Sequence, residues 1–396
     1  MANLAGKRIV LGVTGGIAAY KACELTSTLV KAGAVVDVVM TPAATEFVRP
    51  LTFQALTGRP VSLEMFSLLK ETEIGHVSLA ERADLVLIAP LTANTLAKLA
   101  HGLADNLLTA TVLATRAPLL LAPAMNVGMW ENPATRENLR TLEARGALVV
   151  PPGIGRLACG TVGQGRLADL PAILEGIHRA LTPQDLKGKR VVVTAGGTRE
   201  ALDPVRFLGN RSSGKMGYAI ARSLLRHGAQ VTLISGPSAL TPPPGAELLL
   251  VESTREMGDA LKDALPADAL VMAAAVADYR PEQVCAQKLK KEKGTPILSL
   301  VENPDLLKET QGDFLRIGFA AESEALLENA RAKLERKKLD LIVANDITRP
   351  DSGFDRDTNR VVLLDENSSE TLPTLPKEEV AERLVGRLVS MLEARS

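Results

Sequence analysis

The sequence predicts an α/β protein with two doubly wound, mainly parallel-sheet domains of the Rossmann-like or flavodoxin-like class. Three observations support this prediction. The length of 396 residues suits two domains, short apolar runs alternate with helical segments, and one strand–glycine–helix opening occurs twice. We expect the first domain to span residues 1–185 and the second to span residues 186–396.

The first opening begins at Lys7. In KRIVLGVTGG an apolar strand runs into glycines, and IAAYKACELTSTLVKAG then repeats apolar residues at helical spacing before a second strand, AGAVVDVVM. From Lys189 the pattern returns as KRVVVTAGGT, YAIARSLLRHGA and VTLIS. The second copy is longer, and TREALDPVRFLGNRSSGK occupies the extra length.

Short apolar runs predict five further buried strands: DLVLIAP, APLLLAPAMN, ALVVPP, DALVMAAAVADY and LDLIVANDI. The polar stretch LTPQDLKGK, around Thr182, suits a linker between the domains. The tail from Lys377 predicts a closing amphipathic helix.

Composition excludes several classes of protein. Lys and Arg number 46, as do Asp and Glu, so we expect neither nucleic acid nor a membrane as partner. Cys23, Cys159 and Cys285 are widely spaced and form no CxxC pair, which argues against a disulfide framework and a zinc site. The start shows no signal segment and the chain no membrane-spanning run. We therefore expect a cytoplasmic protein that acts on small molecules.

The first glycine turn suits a phosphate group. Thr14, Gly15 and Gly16 lie between a strand and a helix, where backbone N–H groups bind phosphate. The turn lacks a GxGxxG pattern, and the second strand ends at Thr41 instead of an acidic residue that binds a dinucleotide ribose. A mononucleotide therefore fits this turn better than NAD.

Polar side chains also follow the third strand. Thr92, Asn94 and Thr95 begin a helix in APLTANTLAKLA. They either cap that helix or contact a ligand at the strand ends. His76, at a helix start in EIGHVSLAER, is either a structural histidine or a catalytic one.

The next strand and the segment after it carry unusual side chains. Asn126 follows the strand in PAMNVGMW, where its amide can donate hydrogen bonds to a carboxylate and Met129 and Trp130 form an apolar wall. The stretch GIGRLACGTVGQGRL places Cys159 among glycines without any helical or alternating period, which predicts a flexible segment and not a core position.

The extra length of the second copy contains LGNRSSGKMG, which is close to a phosphate-binding loop. Met216 stands where such a loop needs a Ser or Thr to ligate magnesium, so an ordinary ATPase is disfavoured. Ser212, Gly214 and the helix start still suit a phosphate, and Asn210 can bind a carboxylate or acyl-phosphate oxygen. KLKKEKG, which begins at Lys288, is either a solvated surface loop or a cationic part of the site.

Five stretches taken together resemble the flavin-dependent cysteine decarboxylases: VTGGIAAYK, HVSLA, APLTANTLAKLAHGLADNLLTA, PAMNVGMW and GRLACGTVGQGRL. Nearly the whole chain is similar to the bacterial family of bifunctional phosphopantothenoylcysteine decarboxylases and phosphopantothenate–cysteine ligases of coenzyme A synthesis. The similarity continues through AAVADYRP, KLKK, NPDLL, GFAAE and LIVAND.

For the first domain, the resemblance implies FMN-dependent decarboxylation of 4'-phosphopantothenoylcysteine to 4'-phosphopantetheine. Oxidation of the substrate thiol to a thioaldehyde lets the electrons released with CO2 delocalise onto sulfur, and re-reduction follows. It implies that His76 is a base near the flavin, that Asn126 binds the substrate carboxylate, and that Cys159, on a closing flap, supplies the proton. The residues expected to bind FMN are Thr14, Gly15, Gly16, Thr41, Thr92, Asn94 and Thr95.

For the second domain, the resemblance implies a ligase that uses CTP to convert 4'-phosphopantothenate into an acyl-cytidylate, which L-cysteine then attacks to release CMP. Mg²⁺ is expected on the triphosphate, with no ligand residues assigned. Lys288 is implied in activation, and Asn210 acts on the acyl-cytidylate. Asp278 is implied in contacting cytosine, and the residues expected to bind CTP are Ser212, Ala273, Ala274, Ala275, Asp278, Pro304, Asp305, Phe319, Lys333 and Lys337.

The resemblance also implies a homo-oligomer, with trimeric flavin domains and dimeric ligase domains in a dodecamer. Two other interpretations stay open. One is an NAD(P)-dependent oxidoreductase, which the missing GxGxxG and the missing strand-end acid disfavour. The other is a noncatalytic flavin-binding regulatory protein, since a fold does not guarantee activity.

Overall fold

The computed structural model describes residues 4–65, 75–157, 160–290, 297–322, 325–346 and 356–395. The chain divides into two compact units, Met1–Thr182 and Pro183–Ser396. A parallel sheet forms the centre of each unit, so the predicted fold class is confirmed. In the described parts of the chain, no helix is both long and apolar enough to cross a bilayer.

The first unit contains a five-stranded parallel sheet in the order β2-β1-β3-β4-β5. Its strands are β1 (Arg8–Val13), β2 (Val35–Met40), β3 (Leu85–Leu91), β4 (Leu119–Pro123) and β5 (Leu148–Val149), followed by an antiparallel hairpin of β6 (Gly153–Arg156) and β7 (Val162–Arg166). The order reverses between β1 and β3, which is the position where open sheets bind ligands.

Eight α-helices accompany this sheet in the described part of the unit. They are α1 (Lys21–Lys31), α2 (Pro50–Thr57), α3 (Gly75–Arg82), α4 (Ala93–Ala100), α5 (Leu107–Ala114), α6 (Val127–Glu131), α7 (Pro133–Ala144) and α8 (Leu170–Leu181). Two 3-10 helices, Ile17–Tyr20 and Pro42–Glu46, follow β1 and β2. Along β1, Ile9 and Leu11 join one apolar cluster and Val10 joins another. This alternation explains the continuous apolar run, because both faces of the sheet are covered.

The second unit contains an eight-stranded sheet in the order β12-β11-β8-β13-β16-β17-β19-β20. The strands are β8 (Arg190–Ala195), β11 (Gln230–Ser235), β12 (Glu247–Leu250), β13 (Ala269–Met272), β16 (Leu315–Glu322), β17 (Leu341–Asp346), β19 (Val361–Leu364) and β20 (Ser369–Thr371). Pairing is parallel from β12 to β17 and antiparallel from β17 to β20.

Three short antiparallel pairs and five α-helices complete the described part of this unit. The pairs are β9 (Arg199–Ala201) with β10 (Phe207–Gly209), β14 (Tyr279–Pro281) with β15 (Leu300–Glu302), and β18 (Thr358–Asn359) with β21 (Leu375–Pro376). The helices are α9 (Lys215–Arg226), α10 (Thr254–Ala264), α11 (Leu306–Glu309), α12 (Leu326–Lys337) and α13 (Lys377–Arg395). The hairpin β9–β10 lies in the extra length of the second copy, and α13 begins at Lys377 as predicted.

A partly buried group of charges joins α9 and α13 to the segment that precedes β8. Arg226 Nη1 lies 3.3 Å from Glu382 Oε1. The ring of His227 lies 2.7 Å from Asp185 and 3.5 Å from Glu382. Burial by itself would lower the pKa of His227, but its hydrogen bonds to Glu382 and Asp185 outweigh burial, and the pKa is raised.

This shift predicts the pH dependence of stability in the second unit. Because the folded pKa of His227 is raised, its contribution is complete below the unfolded value of about 6.5 and is lost as the pH rises through the folded value. The urea midpoint of residues 183–396 should therefore fall between about pH 6 and about pH 9. Urea unfolding of the full chain followed by limited proteolysis, with each unit's fragments quantified, measures this change.

Of the four histidines in the chain, only His227 lies in the second unit. His227→Gln should therefore remove the pH dependence of this unit's midpoint, whereas His178→Gln, in the first unit, should leave it in place. A midpoint in the wild type that stays constant across this pH range contradicts the prediction.

Candidate active sites

The first unit has a cleft of about 1090 Å³ at the carboxyl ends of β1, β2, β3 and β4. Six of the seven residues predicted to bind FMN line it: Gly15, Gly16, Thr41, Thr92, Asn94 and Thr95. Ile17 and Tyr20 add apolar surface, and each is 60% exposed. The cleft therefore combines a glycine turn, hydroxyl groups and an apolar wall at the switch point of the sheet.

The turn after β1 closely approaches the segment after β2. A Cβ on Gly15 would overlap Ala43, lying 2.7 Å from its carbonyl carbon, so only glycine fits this position. Beside it, Thr41 is 7% exposed, and its hydroxyl has no hydrogen-bond partner among the described residues. Because a buried hydroxyl normally has a partner, Thr41 indicates that a ligand supplies one in this cleft.

Thr14, the seventh predicted residue, does not line the cleft. It is fully buried, and its hydroxyl donates to the carbonyl of Pro90 at 2.7 Å and accepts from the backbone N–H of Thr92 at 3.0 Å. Thr14 thus joins the end of β1 to the start of α4. Its hydroxyl therefore positions the turn, and its contact with FMN stays a prediction.

The segment after β3 combines capping with exposure to the cleft. The hydroxyl of Thr92 accepts from the backbone N–H of Thr95 and caps α4, while Asn94 is exposed. Thr92 therefore caps the helix, as one alternative predicts, and it also lines the cleft, where the other alternative places a ligand.

Asn126 lines the cleft at the end of β4. Its Oδ1 accepts from the backbone N–H of Gly128 at 2.8 Å and caps α6, which fixes the direction of the side chain. Met129 also lines the cleft and is 48% exposed. The predicted apolar wall is wrong for Trp130, which is 2% exposed, lies in the core and carries the guanidinium of Arg136 over its ring.

The glycine-rich stretch forms the hairpin β6–β7 and is fixed to the protein at its base. The carbonyl of Gly165 accepts from the backbone N–H of Met125 at 2.9 Å. A Cβ on Gly163 would lie 2.9 Å from Val127, so β7 packs closely on α6. The sequence prediction missed these strands because glycine gives no apolar alternation. Cys159 lies outside the described residues.

His76 does not line this cleft. It lies on α3, and its Nδ1 is buried without a hydrogen-bond partner among the described residues. Sequence reasoning also missed four cations that line the cleft: Lys21, Lys98, Arg156 and Arg166. Burial, and secondarily the charge of Arg166, lower the pKa of Lys21, so these two cations lie close together. Arg156 and Arg166 are the last residues of β6 and β7. The two arginines of the glycine-rich stretch GIGRLACGTVGQGRL were therefore the pattern that could have indicated them.

The second unit has a cleft of about 940 Å³ at the carboxyl ends of its central strands. All ten residues predicted to bind CTP line it, as does Asn210. The Nδ2 of Asn210 donates to the carbonyls of Ala275 and Val276 at 3.2 and 3.1 Å. This amide joins the end of β10 to the segment that follows β13.

Basic residues and a helix start converge on this cleft. Lys333 Nζ donates to the carbonyl of Phe319 at 2.8 Å, and Lys337 pairs with Asp305. Burial lowers the pKa of Lys337, although the charge of Asp278 opposes this change. Gly214, with φ of 82°, precedes α9 and points the helix start into the cleft. Such an arrangement suits a polyphosphate.

Lys288 is exposed and does not line the cleft. The lining residues that were not predicted include Lys215, Asn345, Asn359 and Lys377. Lys377 is 8% exposed although it is the first residue of α13, and no local pattern marks it as part of a site. Within the described ranges, no three His, Cys, Asp or Glu side chains cluster as a metal site.

Comparison with known families first defines the class of protein. Residues 2–182 match the family described as Flavoprotein, and residues 186–392 match the family described as DNA/pantothenate metabolism flavoprotein C-terminal domain. The two clefts thus lie one in each matched part of the chain.

Full-length relatives define the family. The chain is 47% identical over 388 residues to the coenzyme A biosynthesis bifunctional protein CoaBC of Vibrio cholerae, covering 96% of this chain and 97% of the relative. It is 44% identical to the protein of the same name from Bacillus subtilis, covering 98% of each. A crystal structure of the C-terminal domain of such a protein is 40% identical and covers 53% of this chain and 99% of that chain, with a TM-score of 0.46.

The chain belongs to the family of bifunctional proteins of coenzyme A biosynthesis. It is an enzyme with a ligase step and a decarboxylase step in that pathway. The family predicted from the sequence is confirmed.

Proposed function

We propose that the chain converts 4'-phosphopantothenate into 4'-phosphopantetheine in two consecutive reactions. Residues 186–396 join 4'-phosphopantothenate to L-cysteine at the expense of CTP. Residues 1–185 then decarboxylate the resulting 4'-phosphopantothenoylcysteine with FMN. The observation that carries this proposal is the pair of chemically different clefts, one with an unpartnered buried hydroxyl beside an apolar wall and one with converging lysines.

In the ligase cleft, the chain must bring two anions together. A carboxylate is a poor electrophile, so its attack on a nucleotide phosphate needs concentrated positive charge. Lys333 and Lys337 supply such charge beside Asp278, the residue proposed to contact cytosine. Mg²⁺ on the triphosphate would add to it. Asn210 lies at the edge of this cleft, where its amide can orient the acyl-cytidylate for attack by the cysteine amine.

In the decarboxylase cleft, the described residues fit FMN. Thr41 offers a buried hydroxyl that has no partner among the described residues, and the turn at Gly15 offers backbone N–H groups. Lys21 and Arg166 provide positive charge for a phosphate group. When bound, FMN supplies reversible two-electron oxidation of the substrate thiol.

The chain's own residues then bind the substrate and move its protons. Asn126, held by its cap on α6, binds the carboxylate that is lost. Cys159, which belongs to the stretch between β6 and β7, supplies the proton to the decarboxylated product. General acid–base help of this kind typically contributes about 10²- to 10⁴-fold.

We infer a homo-oligomer in the cytoplasm, with trimeric flavin domains and dimeric ligase domains that form a dodecamer. His76 is proposed as a base near flavin and substrate, yet it does not line the cleft of its own unit. A neighbouring copy in the trimer can bring its cleft to this histidine. The proposed role of His76 therefore needs a second copy of the chain, and this need supports the proposed oligomer.

A coupled assay tests the proposed function. Full-length protein with FMN, 4'-phosphopantothenate, cysteine, CTP and Mg²⁺ should release CMP and CO2 in equal amounts, and omission of CTP should stop both. When 4'-phosphopantothenoylcysteine is supplied directly, CO2 should appear without CTP, with transient bleaching of the flavin absorbance. A yellow protein that releases no CO2 from this substrate supports the regulatory alternative instead.

A further inference from the structure

The turn at residues 202–206, at the tip of the hairpin β9–β10, holds a buried carboxylate that the proposed mechanism does not use. Asp203 is 3% exposed. Its Oδ1 accepts from the backbone N–H groups of Val205 and Arg206, both at 2.8 Å. Its Oδ2 accepts from Arg206 Nε at 3.0 Å and Nη2 at 2.6 Å, and from the backbone N–H of Leu289 at 3.0 Å. Both oxygens are therefore fully occupied.

The bond from Leu289 connects this turn to a distant part of the sequence. Leu289 lies between Lys288 and Lys290, and residues 288–290 are here called the lysine segment. Arg206 Nη2 also donates to the carbonyl of Leu289 at 2.6 Å. Just before the lysine segment, the N–H of Cys285 donates to the carbonyl of Leu202 at 3.0 Å. Asp203 and its turn thus hold the lysine segment at several points.

The same hairpin reaches the ligase cleft at its other end. Strand β10 ends at Gly209, and the next residue, Asn210, lines the cleft and binds the carbonyls that follow β13. The hairpin therefore fixes the backbone next to Lys288 relative to Asn210.

The carboxylate of Asp203 is a permanent anchor. Burial would raise the pKa of Asp203, but hydrogen bonds from Val205, Leu289 and Arg206 hold it well below its usual range. The group stays ionised at neutral pH, where charge-assisted hydrogen bonds are the strong ones.

We propose that Asp203 is a positioning residue of the ligase, which fixes the lysine segment and acts through Lys288. This inference rests on the proposed role of Lys288 in activating the carboxylate. It assigns to the extra hairpin of the second unit the function of holding two residues of the ligase, Asn210 and Lys288, in one arrangement.

The test compares full-length Asp203→Asn, Lys288→Gln and the double variant. Asp203→Asn places an amide against donors that need an acceptor, so the kcat of CMP release should fall about 10-fold, with the KM for CTP unchanged. Because Asp203 acts through Lys288, adding Asp203→Asn to Lys288→Gln should cause no further loss. CO2 release from 4'-phosphopantothenoylcysteine, measured on the same preparations, should equal that of the wild type.

A second variant and a matched control separate positioning from folding. Leu289→Pro removes the N–H that reaches Asp203 but leaves the other hydrogen bonds of the turn, and it should lower kcat to the same extent as Asp203→Asn. Asp268→Asn changes a carboxylate that likewise accepts a backbone N–H, from Arg190 at 2.8 Å, but lies at the amino end of the central strand β13, away from the cleft at the carboxyl ends. Its kcat should match the wild type.

The possible failures are distinguishable. Wild-type kcat in Asp203→Asn, or a loss in the double variant equal to the product of the single losses, overturns the inference and leaves the proposed function intact. Wild-type kcat in Lys288→Gln overturns the proposed role of Lys288, and the inference with it.

Discussion

Replacement of Gly165 by alanine is expected to lower the rate of CO2 release about 100-fold, because a displacement of about 1 Å in an active site can have that effect. Gly165 has φ of 154°, a conformation that L side chains rarely adopt. An added Cβ would also overlap the carbonyl oxygen of Met125, so the backbone of β7 must move away from the β4–α6 connection. That movement displaces the hairpin β6–β7 and its cleft residues Arg156 and Arg166.

The measurement is single-turnover CO2 release from 4'-phosphopantothenoylcysteine by the full-length variant loaded with FMN. CMP release by the same preparation should be unchanged, since the ligase lies in the other unit. Gly155→Ala is the matched control. It lies on β6 opposite Gly163, and among the described residues an added Cβ would meet only the side chain of Arg166, at 3.8 Å or more. Equal rates in the two variants contradict the prediction.

Replacement of Asn210 by aspartate is expected to lower CMP release about 100-fold. The Nδ2 of Asn210 donates to two backbone carbonyls, at 3.2 and 3.1 Å, and a carboxylate would direct negative charge at both oxygens. Two lost hydrogen bonds cost about 1 kcal/mol each, and about 1.4 kcal/mol corresponds to a tenfold change in rate. Repulsion between the carboxylate and the carbonyls increases the effect.

Quenched-flow measurement of CMP release tests this expectation, with CO2 release from 4'-phosphopantothenoylcysteine as the internal standard for folding. Asn367→Asp makes the same change of charge on an exposed turn of the same unit and should behave as the wild type. A rate of CMP release in Asn210→Asp that stays within about threefold of the wild type would contradict the prediction. The hydrogen bonds between Asn210 and the segment after β13 would then not matter for catalysis.

The fold could be predicted to the extent that local patterns specify it. The apolar runs at β1, β3 and β13 are continuous because helices cover both faces of each sheet, and that burial leaves a direct mark in the sequence. The hairpin β6–β7 has no such apolar run. Its glycines allow close packing against Met125 and Val127, and glycine contributes no apolar side chain to a pattern.

The candidate sites divide in the same way. The turn at Gly15 follows β1 directly, so its place at the carboxyl end of the sheet follows from chain order. The loop at Ser212 follows the separate hairpin β9–β10 and was indicated by its motif and by the helix α9 that begins at Lys215. Thr14 does not line the cleft because its hydroxyl bonds to Pro90 and Thr92, which are distant in sequence. The prediction that Trp130 forms a wall of the cleft was wrong for a similar reason, since its burial depends on packing among α6, α7 and the sheet.

The sequence alone determined the main strands and helices of the two parallel sheets, the family, and the stretches that carry its chemistry, because periodicity and motifs are local properties of a chain. Only the tertiary structure decided which distant side chains meet. It brought Lys377 of the last helix to the cleft of the second unit, kept Thr14 and Trp130 out of the cleft of the first unit, and joined Asp203 to Leu289. These long-range contacts depend on strand order, register and close packing between segments far apart in the chain, and no local pattern encodes them.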